Sequence, residues 1–270
     1  MNERSKVVIL CGGKGTRLRE ETETKPKPMV EVGGMPLIWH IMKLYSGFGF
    51  DEFVLCLGYK GDVIKQFFLN HEFFSNDFTI HLNNRKDDLV HYKHREENNW
   101  KITFADTGLE AMTGARLKRI EKYIDGDNFL ATYGDAVADV DIGKLMQFHK
   151  KQNTAATLTA VHPHTRWGMV KDGQDGRISE FVEKPQLYDY VNGGFFAFKK
   201  DVFDYLQVDD SCVLEKEPFA KLVADRQFSM HKHEGFWHAV DTYKDYIELN
   251  QIYDSGKAPW LNSVQGKKLI

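Results

Sequence analysis

Gly12, Gly13 and Gly15 form a turn that carries Lys14, Thr16 and Arg17, with Lys25 and Lys27 just beyond it. Glycines let backbone N–H groups come close to an anion, and four cations would neutralise it, so this is a candidate phosphate-binding turn. Neither common phosphate signature fits. Leu18 occupies the place of the third glycine of G-x-G-x-x-G, and no glycine–lysine pair stands at the offset that G-x-x-x-x-G-K-[ST] requires. The plain alternative is a solvated turn with incidental lysines. Asp135 and Asp241, far apart in the chain, each end an apolar run. Carboxylates completed by phosphate oxygens and water are the usual way of holding magnesium. Each also has a local reading, Asp241 as the cap of a helix starting near Thr242 and Asp135 as a turn residue after Gly134. Glu183-Lys184-Pro185 and Asn192-Gly193-Gly194 supply a second pole, where Lys184 could hold a monophosphate and Glu183 and Asn192 could bind hydroxyl groups. Charged residues at a strand end are otherwise ordinary surface.

The elements that would position these residues alternate. Lys6 to Cys11 is an apolar, β-branched run that stops at a glycine pair, as a buried parallel strand does. Leu37, Ile38, Ile41, Met42, Leu44 and Tyr45 then follow helical spacing up to Gly47 and Gly49. Phe53 to Leu57 predicts a second strand, and Val63, Ile64, Phe67 and Phe68 a second helix. From Asn70 to Asp106 the composition turns polar, which predicts an excursion of short strands with a hairpin turn at Asn83 to Asp88 and an exposed basic stretch from His91 to Arg95. Asn128 to Tyr133 resumes a buried strand and places Asp135 at its C-terminal end; Ile142, Leu145, Met146 and His149 mark another helix. Ala155 to Val161 and Gly193 to Phe198 predict further strands, and Asp172 to Gly176 a hairpin between Met169-Val170 and Ile178 to Val182. The expected class is α/β, a mixed and mostly parallel sheet with helices on both faces, with ligands in the crevice beyond the carboxyl ends of the strands. No repeat or low-complexity linker breaks the chain, which predicts a single domain over residues 1–270 with a boundary between two parts near Thr154.

Composition removes several function classes. Hydrophobic residues make up 42% of the 270, too many for a disordered chain. A net charge of -3, from 36 basic and 39 acidic residues, leaves no broad cationic surface for nucleic acid or an anionic membrane. Val7 to Cys11 is too short to cross a bilayer and Asn2, Glu3 and Arg4 do not open a signal peptide, so a cytoplasmic protein is expected. Cys11, Cys56 and Cys212 are an odd, dispersed set without C-x-x-C spacing, which predicts reduced thiols with no thiol chemistry.

Gly12-Gly13-Lys14-Gly15-Thr16-Arg17-Leu18 followed by Lys27 resembles the opening motif of the sugar-1-phosphate nucleotidylyltransferases. Lys27-Pro28-Met29-Val30, Trp39 to Lys43, Asp106-Thr107-Gly108, Met112-Thr113-Gly114, Arg116 to Arg119, Thr132 to Asp135 and Asn192 to Phe196 are similar to the glucose-1-phosphate cytidylyltransferase branch in particular. The resemblance runs in order from about Val7 to Trp260. It implies a Rossmann-like nucleotide-diphospho-sugar transferase fold with a small sugar-side β excursion, a nucleotide-binding core up to residue 153 and a sugar-phosphate part over residues 154–260. It implies a nucleotide cradle of Leu10, Gly12, Gly13, Gly15, Thr16, Arg17, Lys27, Thr113, Gly114 and Arg116, in which Arg17 and Lys27 are catalytic and Thr113 and Gly114 lie near the base. Tyr133, Glu183, Lys184, Asn192 and Gly193 would bind sugar phosphate, and Asp135 and Asp241 would hold Mg²⁺. The implied substrates are CTP and glucose 1-phosphate, giving CDP-glucose and pyrophosphate, and the implied assembly is a homo-oligomer. Another nucleotide or sugar 1-phosphate, a glycosyltransferase, or a non-catalytic nucleotide-sensing subunit are the competing expectations. Two departures stand out: Ala115 where this branch has a second glycine, and Leu214 where it has a tryptophan before Glu215.

Overall fold

The computed structural model describes residues 5–15, 18, 22–71, 73, 76–80, 89–92 and 99–261. The apolar run at the N-terminus is strand β1 (Val7–Leu10). A ribbon of β2 (Glu31–Val32) and β3 (Met35–Pro36) leads into helix α1 (Leu37–Gly47), whose apolar residues are buried on the expected helical spacing. β4 (Glu52–Leu57) and α2 (Gly61–Leu69) follow. β5 (Asp77–Ile80) and β6 (Leu89–Tyr92) pair antiparallel with Ile80 opposite Leu89, while the expected turn at Asn83 to Asp88 and the basic residues Lys93 to Arg95 lie outside the described residues.

β7 (Lys101–Asp106) corrects the reading of residues 70–106 as an excursion throughout. It pairs parallel with β4 over its whole length, from Glu52 opposite Lys101 to Leu57 opposite Asp106, and is an edge of the central sheet. An edge strand is covered on fewer sides, and only Ala105 in it is buried, so its sequence lacks the continuous apolar run of an inner strand. Next come α3 (Thr113–Arg119), β8 (Asn128–Tyr133), the short β9 (Ala136–Ala138) and α4 (Ile142–Gln152). The Asp141 carboxylate caps α4 by accepting the Lys144 N–H at 2.8 Å, and Asn153 ends it in the left-handed conformation. β10 (Ala156–Val161), the hairpin of β11 (Met169–Asp172) and β12 (Ile178–Val182), β13 (Val191–Lys199), α5 (Glu217–Ala224), β14 (Phe228–His233), β15 (Trp237–Ala239) and α6 (Tyr243–Asp254) complete the described elements.

The central sheet runs β14–β10–β13–β8–β1–β4–β7. Only β13 opposes its neighbours; β8, β1, β4 and β7 are parallel, as are β10 and β14. The sheet is therefore mixed and mostly parallel, as expected, and it takes strands from both sides of residue 154. Strand alternation separates two cores. Val7 and Ile9 face a cluster closed by Ile41 of α1, Ile64 of α2, Leu145 of α4 and Leu249 of α6, whereas Val8 faces Leu117 of α3, Leu222 of α5 and Phe203 of the 3₁₀ turn after β13.

Trp260 closes the first core beyond α6. It is fully buried, its indole N–H donates to His40 Nδ1 at 3.2 Å, and its ring stacks on Phe236 at 5.6 Å. Trp260→Ala is expected to lower unfolding free energy by about 3–5 kcal/mol, the usual loss for a large buried aromatic, as measured by chemical denaturation.

Candidate active site

From β1 the chain moves outward to β4 and β7, then returns to place β8 on the other side of β1. Such a reversal leaves a crevice at the carboxyl ends of the two diverging strands. A cavity of about 360 Å³ opens there. Leu10, Gly12, Gly13 and Gly15 line it from the turn after β1, Tyr133 and Asp135 from the exit of β8, Thr113 and Arg116 from α3, and Lys27 and Asp241 close it. Thr16 and Arg17 lie outside the described residues.

The Lys27 ammonium joins the two distant aspartates, with Nζ 2.8 Å from Asp135 Oδ2 and 2.7 Å from Asp241 Oδ1. Backbone pairing makes this possible. β9 and β15 are antiparallel with Ala136 opposite Ala239, and the Val240 N–H donates to the Asp135 carbonyl at 2.9 Å, so the residues flanking this ribbon emerge side by side. Lys27 opens a short 3₁₀ turn between Pro26 and Pro28. That turn docks on Gly134, where an added Cβ would lie 2.7 Å from the Pro28 ring.

The local reading of Asp241 as a helix cap gives way to its neighbours. The Thr242 hydroxyl accepts the Asp245 N–H at 3.3 Å, and Asp245 Oδ2 accepts the N–H groups of Thr242 and Asp241 at 2.7 and 3.0 Å. This capping box serves the start of α6 without the Asp241 carboxylate, which turns to Lys27 and to Arg166 Nη2 at 3.1 Å. Burial alone would lower the Lys27 pKa, but the two carboxylates outweigh it and hold the ammonium above the ordinary lysine value. Lys27 is thus a fixed cation. The same carboxylates, converging on one point while still partly open to solvent, are a donor set that suits a hard divalent cation completed by water and phosphate oxygens.

Arg116 lies beneath the glycine turn. Its buried guanidinium donates to the carbonyls of Gly12 at 3.0 Å, Leu57 at 3.1 Å and Gly108 at 2.7 Å, and to the Thr107 hydroxyl at 2.9 Å. It ties together the ends of β1, β4 and β7. Gly12 has to be glycine at this contact, since a Cβ there would lie 2.1 Å from Arg116 Nη1. The other lysines expected around the turn are engaged elsewhere, Lys14 with Glu110 at 2.8 Å and Lys25 with Glu31 at 3.5 Å. Cys11 also lines the cavity, but burial raises its thiol pKa well above the usual value and pushes that of Cys56 up to about 12, which keeps both thiols protonated.

The sugar-phosphate candidates divide. Asn192 reaches the cavity wall through Tyr133, donating from Nδ2 to the phenolic oxygen at 3.1 Å while its Oδ1 accepts the Gly194 N–H at 2.8 Å. Gly193 permits close packing, because a Cβ there would meet Val161 at 2.8 Å. Glu183 and Lys184 follow β12 on a hairpin whose strands are exposed throughout, and they stand outside the cavity lining in this chain. Gly114 is likewise not in the lining. It packs on the loop before α5, where its Cβ would meet Cys212 Sγ at 2.6 Å. The two departures are absorbed internally: Ala115 donates its N–H to the Cys212 carbonyl at 3.1 Å, and Leu214 is buried in the second core. Sequence reasoning missed Arg166 and Glu215. Glu215 accepts the Thr113 hydroxyl at 2.7 Å and the Tyr133 hydroxyl as well. Neither residue sits in a glycine-rich or apolar pattern that would single it out.

Lys27→Met leaves the two carboxylates facing each other without a counter-charge. The variant is expected to lose about 1–2 kcal/mol in chelator, less than a fully buried pair because the carboxylates stay partly hydrated. Millimolar divalent cation should recover more of its melting temperature than it adds to the unchanged protein, as read by thermal denaturation.

Residues 6–256 match the family model described as nucleotidyl transferase. The chain is 46% identical over 258 residues to a glucose-1-phosphate cytidylyltransferase of Salmonella typhi, covering 94% of this chain and 98% of that protein. It is 39% identical over 255 residues to a probable glucose-1-phosphate cytidylyltransferase of Bacillus subtilis (strain 168), with the same coverage of 94% and 98%. Among solved structures, HddC from Yersinia pseudotuberculosis is similar with a TM-score of 0.65 over 92% of this chain and 99% of that one, at 23% identity. A UDP-glucose pyrophosphorylase complexed with UDP-glucose is similar with a TM-score of 0.66 over 93% and 99%, at 14% identity; at these identities the likeness is one of fold. With a family model matched over residues 6–256 and a relative matched over 94% of this chain, the chain belongs to the nucleotidyl transferase family.

Proposed function

We propose that the chain makes CDP-glucose and pyrophosphate from CTP and glucose 1-phosphate. The observation that carries this reading is the Lys27 ammonium held between Asp135 and Asp241 at the wall of a cavity floored by a glycine turn. The names of the two cytidylyltransferase relatives support the choice of base and sugar.

In this reading an oxygen of the sugar phosphate attacks the α-phosphorus of CTP in line, forming one P–O bond as the bond to pyrophosphate breaks. No protein nucleophile is needed, so the site works by positioning and by cancelling charge. Two unit negative charges 4 Å apart repel by about 4 kcal/mol at an effective dielectric near 20. Lys27 and Arg17 offset that repulsion at the triphosphate. Gly12, Gly13, Gly15 and Thr16 are the cradle in this proposal, and Arg116 holds Gly12 from below. Asp135 and Asp241 would hold a divalent cation, Mg²⁺ in this proposal, which when bound neutralises the phosphate oxygens. Tyr133, Asn192 and Gly193 form the wall toward the sugar, and Glu183 and Lys184 belong to the sugar-phosphate pole.

Association of copies is part of the same proposal. It is supported by the hairpin that carries that pole, where Val170, Ile178 and Phe181 are each more than half exposed beside Trp167 at 76%. Sedimentation should give a mass of at least two chains, and charged substitutions at Ile178 and Phe181 should return it to one.

The activity is tested by offering CTP, UTP, dTTP, ATP and GTP with a panel of sugar 1-phosphates and following pyrophosphate. CTP with glucose 1-phosphate is expected to give the highest kcat/KM, and preference for another pair overturns the named reaction. Asp135→Asn and Asp241→Asn should each lower kcat by roughly 10²-fold or more, on the scale of one lost charge-stabilising group, with a raised divalent-cation requirement in the metal titration.

A further inference from the structure

A chain of hydrogen bonds runs along the cavity wall from α3 to β13. The Thr113 hydroxyl donates to Glu215 Oε2 at 2.7 Å, the Tyr133 hydroxyl donates to Glu215 Oε1, and Asn192 Nδ2 donates to the Tyr133 oxygen at 3.1 Å. Glu215 is held where it can do this. Leu214 before it is buried in the second core, Pro218 after it is buried at the start of α5, and the N–H groups of Gly114 and Ala115 both donate to the Cys212 carbonyl. The loop before α5 is thereby fastened to the first turn of α3.

A hydroxyl has one proton and two lone pairs. The Thr113 proton goes to Glu215, and one lone pair accepts the Leu214 N–H at 3.0 Å. One acceptor site is left, on a side chain that lines the cavity. Tyr133 is locked in the same sense: its hydroxyl donates to Glu215 Oε1 while its oxygen accepts from Asn192 Nδ2 at 3.1 Å. An ionised carboxylate only accepts, so neither hydroxyl can keep its bond to Glu215 and also turn its proton toward a ligand.

We propose that Glu215 is a positioning residue for base selection, which fixes the Thr113 hydroxyl as an acceptor and so favours a pyrimidine with an exocyclic amino group over one with a carbonyl at that position. The inference rests on the reading of a cytidylyl donor whose base lies against the first turn of α3. Cytosine presents an amino donor where uracil presents an oxygen acceptor. The fixed hydroxyl therefore pairs with the first and meets the second lone pair to lone pair, leaving both polar groups unpaired.

The experiment compares kcat/KM for CTP and UTP, each with glucose 1-phosphate, in the unchanged protein and in Thr113→Val, Thr113→Ser and Glu215→Ala. The CTP/UTP ratio is taken within one preparation, so any fraction that fails to fold cancels. Thr113→Val removes the acceptor and Glu215→Ala releases the hydroxyl proton; each is expected to lower the ratio by roughly tenfold, the scale of one mispaired polar group. Thr113→Ser keeps the hydroxyl and should keep the ratio. An unchanged ratio in Thr113→Val or Glu215→Ala, or a collapsed one in Thr113→Ser, overturns the inference. A preference for UTP over CTP in the unchanged protein overturns the cytidylyl reading itself and is seen before any variant is made.

Discussion

One ammonium group between two carboxylates organises this molecule. Lys27 lies 108 residues from Asp135 and 214 from Asp241, yet its nitrogen is within hydrogen-bond distance of both. Two acidic groups would not be brought together at a partly buried point without a counter-charge. The rest of the architecture supports that meeting. The β9–β15 ribbon aligns the aspartates, the Gly134 α-carbon admits the Pro28 ring behind the lysine, and Thr242 with Asp245 relieves Asp241 of a capping duty.

A second cation does a different job. Arg116 spends its N–H groups on carbonyls and a hydroxyl from three successive strand ends, so it acts as a fastener for the crevice as well as part of its wall. Bonds from a charged donor are stronger than neutral ones, and the planar fork of five N–H groups suits arginine to gathering several carbonyls at once. The glycine turn is thereby held from below, and Gly12 is glycine because the fastener passes within contact distance of its α-carbon.

Much of this was legible in the sequence where periodicity was strong. The inner strands β1, β4 and β8 and helices α1, α2 and α4 are buried in regular patterns, and they fell where apolar spacing put them. β7 did not, because a sheet edge asks little of its exposed residues. At the site, the turn, Lys27 and the two aspartates could be named, since glycine spacing, charge and strand ends are local signals. Their convergence could not, because it follows from the register of two three-residue strands about a hundred residues apart. Arg116 could be picked out through its motif, but its work beneath the turn is a matter of packing alone. Glu215 and Arg166 carry no local pattern, and the placement of Glu183 and Lys184 outside the cavity lining depends on how the β11–β12 hairpin leaves the sheet.

The late position of β15 bears on biosynthesis. Chains emerge from the ribosome N-terminus first, and the strand that delivers Asp241 beside Asp135 begins only at Trp237. Until then a nascent chain holds the glycine turn, Lys27 and Asp135 but lacks the third charge that completes their arrangement. Chemical competence is therefore acquired only once that strand has been made, and a product ending before it would carry an incomplete centre.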